Sequence, residues 1–233
     1  FAEATPETVD AILTEAGRMC EEVLAPLNRA GDLHPAHLEN GVVRTSPGFA
    51  EGFAAIAEGG WLGMSADPDY GGMGLPIALT MAVNEMMGSA CLSLQLNPLM
   101  TQGQIEALEA HASPGALRSR AEPNGDGTYA VTGQKIYISW GDNDFSGNIC
   151  HLVLARLPDG AEGTKGISLF MVPKRIPDAD GNPGVANALN VVSLEHKLGL
   201  HGSPTAVMQY DGATGWLVGE PHKGMAAMFT MMN

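Results

Sequence analysis

The hydrophobic pattern of the chain changes from helical to strand-like near Pro114, and this change limits the fold more than any other feature. Before Pro114, apolar residues recur at helical spacing. The first such segment follows Thr5-Pro6-Glu7, an N-cap with a first-turn proline and acid, and we expect Pro26 to end it. A second helix is predicted after Ser46-Pro47, closed by Gly59-Gly60.

Two more apolar segments precede the change in pattern. Residues from Ile77 to about Leu96 predict one or two buried helices, and Pro98 to Ala110 predicts another. No apolar run in the sequence approaches the roughly 20 residues that a membrane span needs. The first half is therefore predicted to be an all-helical domain.

After Pro114 the sequence predicts short strands separated by turn-rich loops. The strand-like runs are Leu117–Ala121, Thr128–Ser139, Ile149–Arg156, Gly166–Val172 and Thr205–Tyr210. Strands without long intervening helices indicate an antiparallel sandwich or barrel. From Gly219 onward a further helix begins. The prediction is an α+β fold with a helical domain at 1–114, a β domain at 115–218 and the start of a second helical domain at 219–233.

The composition limits the partners. Only 12 Lys and Arg stand against 26 Asp and Glu in 233 residues, a net charge of −14. Proteins that bind nucleic acid or an anionic membrane surface need the opposite balance, so both partners are excluded. A polyanionic cofactor stays compatible, because one pocket can differ from the net field.

The sequence contains no pattern that is typical of a metal site or of a disulfide framework. Cys20, Cys91 and Cys150 are scattered, which favours free thiols in a reducing cytoplasm. His34 and His37 lack a third ligand, so we expect a solvated loop rather than a metal site.

The stretch GQKIYISWG, Gly133 to Gly141, is predicted to be a strand that ends on an aromatic and polar run. Alternation places Ile136 and Ile138 on one face and Tyr137 and Ser139 on the other. An aromatic ring and a hydroxyl at a strand end suit a flat ligand, although an ordinary strand explains the same residues.

An ordered set of motifs decides between these alternatives. The set comprises YGGMGLP (Tyr70 to Pro76), GQKIYISWG, KGISLFMV (Lys165 to Val172), EHKLGLHGSPT (Glu195 to Thr205) and GWLVGEPHKGM (Gly215 to Met225). Along nearly all its length the chain resembles the acyl-CoA dehydrogenase family. It is most similar to the larger bacterial branch, which includes 3-methylmercaptopropionyl-CoA dehydrogenases.

The resemblance implies an FAD-dependent oxidation of an acyl-CoA thioester to its trans-2-enoyl form. The family's flavin contacts fall on Tyr137, Ile138 and Ser139, and a weak match puts a CoA contact on Asn233. Electron transfer flavoprotein is the implied acceptor, and a cytoplasmic homo-oligomer, dimer or tetramer, is the implied assembly. No residue here is assigned as catalytic, because the family's glutamate base lies in a C-terminal helical domain beyond Asn233.

Two departures from the family pattern keep alternatives open. The family's flavin and phosphate loop is missing where Pro114 meets Gly115, which predicts a polypeptide that is not continuous there. A start at Phe1 also suggests a segment of a longer chain. The alternatives are an acyl-CoA oxidase that uses oxygen and a non-catalytic acyl-CoA or flavin-binding module.

Overall fold

The computed structural model describes residues 4–111, 127–158, 160–161 and 164–232. Its internal contacts divide the chain into two units, one formed by Phe1–Gln102 with Leu194–Thr205 and the other by Gly103–Ser193 with Ala206–Asn233. The sequence-based boundaries at 114 and 218 stay a prediction. The predicted strand Leu117–Ala121, the turn at Pro123 and the junction of Pro114 with Gly115 lie outside the described residues.

The first unit begins with a helix that does not end where the sequence predicts. Helix α1 is Pro6–Met19, and the Thr5 hydroxyl accepts from the Thr8 N–H at 3.3 Å as its cap. The chain continues through a π-helical turn, Cys20–Leu24, into α2, Ala25–Leu33. The prediction that Pro26 ends the helix is wrong. A π turn already leaves one backbone carbonyl without its usual partner, so the missing proline N–H adds little cost there.

A hairpin follows where the sequence predicted only a loop. Strand β1, His37–Glu39, pairs antiparallel with β2, Val42–Arg44. The turn is Asn40-Gly41, with φ of 51° and 76°, as a type I′ turn requires. His34 is exposed as expected, but His37 belongs to β1 and not to a loop.

Helix α3, Phe49–Glu58, confirms the second predicted helix, with Phe49, Gly52 and Ile56 buried on one face. Two short 3₁₀ turns, Trp61–Gly63 and Pro68–Tyr70, then lead to α4. The glycine-rich YGGMGLP stretch overlaps the second turn and ends just before α4.

Helix α4, Ile77–His111, breaks at Cys91 and not at Pro98, where the sequence predicted a boundary. Cys91 has φ −154° and ψ 84°. Asn84 and Gln102 lie 18 residues apart, roughly 27 Å in a straight helix, yet their side chains hydrogen-bond at 2.7 Å. The helix therefore doubles back on itself at Cys91.

By length and composition alone, Ile77–Ala107 could cross a membrane, with a mean hydropathy of 1.3 over its most apolar window. This corrects the statement that no apolar segment comes near that length. The reversal at Cys91 divides the helix into two shorter pieces, and Gln102 donates to the Trp61 carbonyl at 3.2 Å. These contacts are typical of a core helix.

The segment 194–205 belongs to the first unit by its contacts. The Ala36 N–H donates to the His201 carbonyl at 3.1 Å, and the His201 ring lies 3.2 Å from an Asp32 carboxylate oxygen. Gly202 and Gly31 meet where the segment crosses α2. A Cβ on Gly202 would lie 2.8 Å from the Gly31 Cα and 2.8 Å from the ring tip of Phe49.

The second unit is built on a five-stranded sheet, with strand order β3-β9-β5-β4 and β8 paired to β9. The β strands of this unit are β3 Thr128–Ser139, β4 Cys150–Arg156, β5 Ile167–Pro173, β6 Arg175–Pro177, β7 Pro183–Ala186, β8 Leu189–Leu194 and β9 Thr205–Val218. The pairs β4–β5 and β5–β9 are antiparallel, and β6 pairs antiparallel with β7 as a separate ribbon. The antiparallel β prediction is confirmed.

Strand β9 is longer than the sequence predicts. The strand-like pattern of residues ends at Tyr210, but the strand runs on to Val218. Asp211 and Gly212 are turn-forming residues, and Gly212 has φ 77°. The Gly212 N–H instead donates to the Thr132 hydroxyl of β3 at 3.1 Å, so the strand continues. Helix α5, Gly224–Met232, confirms the predicted helix start and packs its first glycine against Ser168 of β5.

We predict that Gly202→Ala destabilises the first unit by about 1–3 kcal/mol, the usual cost of overpacking against backbone. The matched control is Gly199→Ala in the same segment, where an added Cβ meets nothing within 4 Å. Urea unfolding of both variants measures the difference. If Gly202→Ala and Gly199→Ala were equally stable, the backbone at the Gly31–Gly202 contact would accommodate the added Cβ without loss of stability.

Candidate active site

The end of β3 has an unusual backbone. Tyr137 has φ 60° and Trp140 has φ 55°, both in the left-handed region. That region is disfavoured for residues with a Cβ by roughly 1–2 kcal/mol each. Such residues persist only where the surrounding structure holds them, and they concentrate at functional sites.

The left-handed Tyr137 breaks the alternation of side chains. Ile136 is 54% exposed and Tyr137 is 68% exposed, whereas Ile138 is half-buried. The expectation that Ile136 and Ile138 share one face is therefore wrong, because the positive φ at Tyr137 shifts the pattern by one residue. Tyr137 and Ser139 are both exposed, as the alternation predicted.

The residues that follow Ser139 turn back into the protein. Trp140 is 5% exposed, and its ring lies 5.9 Å from that of Phe145. A Cβ on Gly141 would lie 3.0 Å from both the Ile138 Cγ2 and the Met208 Sδ. An exposed aromatic and hydroxyl are thus carried on a strand end whose next two residues are tightly packed.

A buried histidine holds the carbonyl of Gly141. His151, on β4, donates from Nε2 to this carbonyl at 2.8 Å. Its Nδ1 accepts from the Tyr210 hydroxyl of β9, also at 2.8 Å. A neutral imidazole has one donor and one acceptor nitrogen, so this arrangement fixes the tautomer with the proton on Nε2.

Burial keeps this histidine neutral. Desolvation lowers the pKa of His151, and the nearby Lys174 acts in the same direction. The Gly141 carbonyl and the Asp142 carboxylate oppose that shift without reversing it. Burial also raises the pKa of the Tyr210 phenol, so it remains a hydrogen-bond donor.

Two further contacts fix the loop after Gly141. The buried Asp142 carboxylate forms an ion pair with Lys174, which follows β5. The Asn143 side chain accepts from the N–H groups of Phe145 at 3.2 Å and Ser146 at 2.8 Å. Three successive residues, 141 to 143, are therefore each held by a side-chain hydrogen bond or ion pair.

Sequence reasoning missed His151, Tyr210, Asp142 and Lys174. One signal was present, because His151 interrupts the apolar run of β4 at a position that alternation buries. A polar residue at a buried strand position needs a partner, and that partner is supplied by other strands.

The other site predictions have different outcomes. Asn233 lies outside the described residues. The EHKLGLHGSPT segment carries a half-buried Lys197, which donates to the Ser203 carbonyl at 2.6 Å. Within the described ranges, no group of three or more His, Cys, Asp or Glu side chains could hold a metal ion.

Comparison with known proteins identifies the family. Residues 6–116 match the family model described as acyl-CoA dehydrogenase, N-terminal domain. The whole chain aligns at 41% identity with 3-methylmercaptopropionyl-CoA dehydrogenase of Ruegeria pomeroyi, covering 45% of that protein. The chain belongs to the acyl-CoA dehydrogenase family. Its similarity to that Ruegeria protein confirms the predicted likeness to the larger bacterial branch.

Two more relatives extend the comparison. The broad-specificity linear acyl-CoA dehydrogenase FadE5 of Mycobacterium tuberculosis is 33% identical over the whole chain, which covers 44% of that protein. The solved butyryl-CoA dehydrogenase of Megasphaera elsdenii shares the fold, with a TM-score of 0.71 at 19% identity over 95% of this chain and 61% of that one. The chain thus spans about half the length of the curated relatives it matches.

The aligned lengths bear on the missing segment. The Ruegeria alignment runs over 262 positions and includes all 233 residues of this chain, which leaves 29 positions of the relative without a counterpart. The expectation that the family's flavin and phosphate loop is missing where Pro114 meets Gly115, in a polypeptide that is not continuous there, stays a prediction.

We predict that His151 contributes a pH dependence to stability. Its pKa in the folded state lies below its unfolded value of about 6.5, so its contribution is complete above that value and is lost as the pH falls. The slope reaches up to about 1.4 kcal/mol per pH unit. His151→Gln should remove this slope between pH 7 and 5 in urea unfolding. His37→Gln, at an exposed strand position, is the control and should leave it unchanged.

Proposed function

We propose that the protein oxidises an acyl-CoA thioester to its trans-2-enoyl form with FAD as cofactor. The observation that supports this most is the strand end Tyr137–Ser139 in a member of the acyl-CoA dehydrogenase family. A strained backbone there exposes an aromatic ring and a hydroxyl. This arrangement costs stability and contributes little packing to the second unit, so a bound ligand is the better reason for it.

The exposed residues fit a flavin. A tricyclic ring needs an aromatic or apolar wall against one face and a hydrogen-bond donor near its reactive nitrogen, which Tyr137 and Ser139 supply. Half-buried Ile138 fixes the strand between them. When bound, FAD supplies the acceptor for the hydride from the β-carbon.

The role of this chain's residues is to bind and orient. Tyr137 would pack against the flavin ring and exclude water from it, and the Ser139 hydroxyl would donate a hydrogen bond to the ring. The general base that removes the α-proton is assigned to no residue of this chain, since the family resemblance puts it in a C-terminal domain. Asn233 is a further proposed contact to CoA.

The substrate proposal rests on one of the relatives named above. 3-Methylmercaptopropionyl-CoA or a similar short- to medium-chain acyl-CoA is proposed, because the 41% identical relative carries that name. Electron transfer flavoprotein is the proposed acceptor. A cytoplasmic location and a homo-oligomeric state, dimer or tetramer, complete the proposal.

One observation favours a second candidate. The alignment with the Ruegeria relative has 29 more positions than this chain has residues, which is compatible with the predicted absence of a flavin and phosphate loop. A protein that truly lacked this loop would hold the flavin less well and could serve as a non-catalytic acyl-CoA or flavin-binding module. An acyl-CoA oxidase remains the alternative within the catalytic class.

We predict that the full-length protein purifies with FAD and that Tyr137→Ala weakens FAD binding. Loss of aromatic packing typically costs on the order of 1 kcal/mol or more, so the dissociation constant should rise at least about fivefold. Tyr137→Phe keeps the ring and should bind as the wild type does. Fluorescence titration measures the FAD dissociation constants of the wild type and of the two variants.

The control for this prediction is Val185→Ala, which removes an exposed side chain from β7. It should leave FAD binding unchanged. If Tyr137→Ala retains wild-type affinity, the assignment of Tyr137 to the flavin site is wrong.

We predict that the FAD-loaded full-length protein is bleached anaerobically by 3-methylmercaptopropionyl-CoA or a short- to medium-chain acyl-CoA. Reoxidation by electron transfer flavoprotein should be fast, and production of hydrogen peroxide in air should be slow. Rapid peroxide formation would identify an oxidase. A flavin that binds but is bleached by no acyl-CoA from short to long chain would identify the non-catalytic module.

A further inference from the structure

The strained end of β3 needs support from outside its own strand. Tyr137 and Trp140 both have positive φ, and an isolated strand would relax out of that conformation. The backbone carbonyl of Gly141, directly after Trp140, is held by a side chain of another strand. Whatever fixes Gly141 therefore fixes the direction in which Ser139 and Tyr137 project.

Three strands meet at this support. His151 on β4 donates to the Gly141 carbonyl, and Tyr210 on β9 donates to His151, each at 2.8 Å. His151 is 7% exposed and Tyr210 is 2% exposed. Their rings pack edge to face at 5.9 Å between centroids. The chain Tyr210–His151–Gly141 is thus a buried, directional path from the sheet to the proposed flavin site.

We propose that His151 is a positioning residue for the flavin: its neutral imidazole, held by Tyr210, fixes the Gly141 carbonyl and thereby the placement of Tyr137 and Ser139. This inference rests on the proposed function. His151 touches no reacting atom in this role, because it acts through the strand end.

The protonation state of the imidazole matters to this role. A second proton would go to Nδ1, which faces the Tyr210 hydroxyl, and the phenol would have to turn its own proton away. The charged groups facing the ring are Asp142 and Lys174, which pair with each other, so neither supplies a free counter-charge. Protonation therefore reverses the bond between Tyr210 and His151 and takes from the phenol proton its acceptor on Nδ1, which loosens the support.

The first test measures FAD dissociation constants of the full-length protein from pH 8 to pH 5. His151→Gln stays uncharged at every pH and replaces the rigid ring by a flexible amide, which cannot hold its N–H on Gly141 and its oxygen on Tyr210 in the ring's geometry. We expect roughly tenfold weaker binding, the loss from one broken buried hydrogen bond. We also expect the wild-type weakening at low pH to flatten in this variant. Tyr210→Phe should have a smaller effect, because His151 still bonds to Gly141.

The control is Val153→Ala on the same strand, where a buried apolar side chain is shortened without touching the polar path. It should lower the unfolding midpoint but keep the wild-type FAD affinity and pH profile. If His151→Gln also keeps the wild-type FAD affinity and pH profile, the network is structural only and the inference is overturned. The inference is also overturned if Val153→Ala weakens FAD binding as much as His151→Gln does when the two variants lose the same stability.

The second test needs no flavin. Hydrogen exchange in the apo protein should show that His151→Gln loses amide protection over residues 137–143 more than Val153→Ala does. If His151→Gln loses no more amide protection over residues 137–143 than Val153→Ala does, the positioning role is refuted. A wild type that binds no FAD, yet shows the local loss of protection in His151→Gln, would refute the proposed function and leave the support of the strand end established.

Discussion

The bond between the His151 imidazole and the Gly141 carbonyl is the interaction on which the candidate site depends. Two left-handed residues, Tyr137 and Trp140, together cost roughly 2–4 kcal/mol, which the surrounding structure has to offset. Support comes from β4 through His151 and from Lys174, which holds Asp142. The sheet order brings these elements together, so the site is a property of the folded sheet rather than of one strand.

Elements whose signals are local were predicted well. The bounds of β3 match the sequence pattern, and α3 and α5 begin within a few residues of their predicted starts. The missed features depend on contacts with distant residues. Pro26 continues a helix because a π turn precedes it, and β9 runs past Gly212 because Thr132 of β3 accepts its N–H. The hairpin at Asn40-Gly41 is different, since its local signal was present but overlooked.

The candidate site divides in the same way. Tyr137, Ile138 and Ser139 were assigned from the family resemblance, and the strand that carries them came from its own alternation. Their supporting residues could not be assigned, because His151 follows Gly141 by ten residues and Tyr210 follows His151 by 59. Only strand pairing makes them neighbours. The shift at Tyr137 was equally hidden, since nothing in a β-forming tyrosine predicts a positive φ.

The strain also bears on the choice between an enzyme and a module that has lost its ligand. A buried donor–acceptor chain of Tyr210, His151 and Gly141 is costly to keep, because each polar group must be desolvated and matched in geometry. A less strained strand end with an apolar side chain at position 151 would stabilise the same sheet more cheaply. Under the proposed function, the strain at Tyr137 and its support by His151 have a common purpose, which is to present Tyr137 and Ser139 to a flavin.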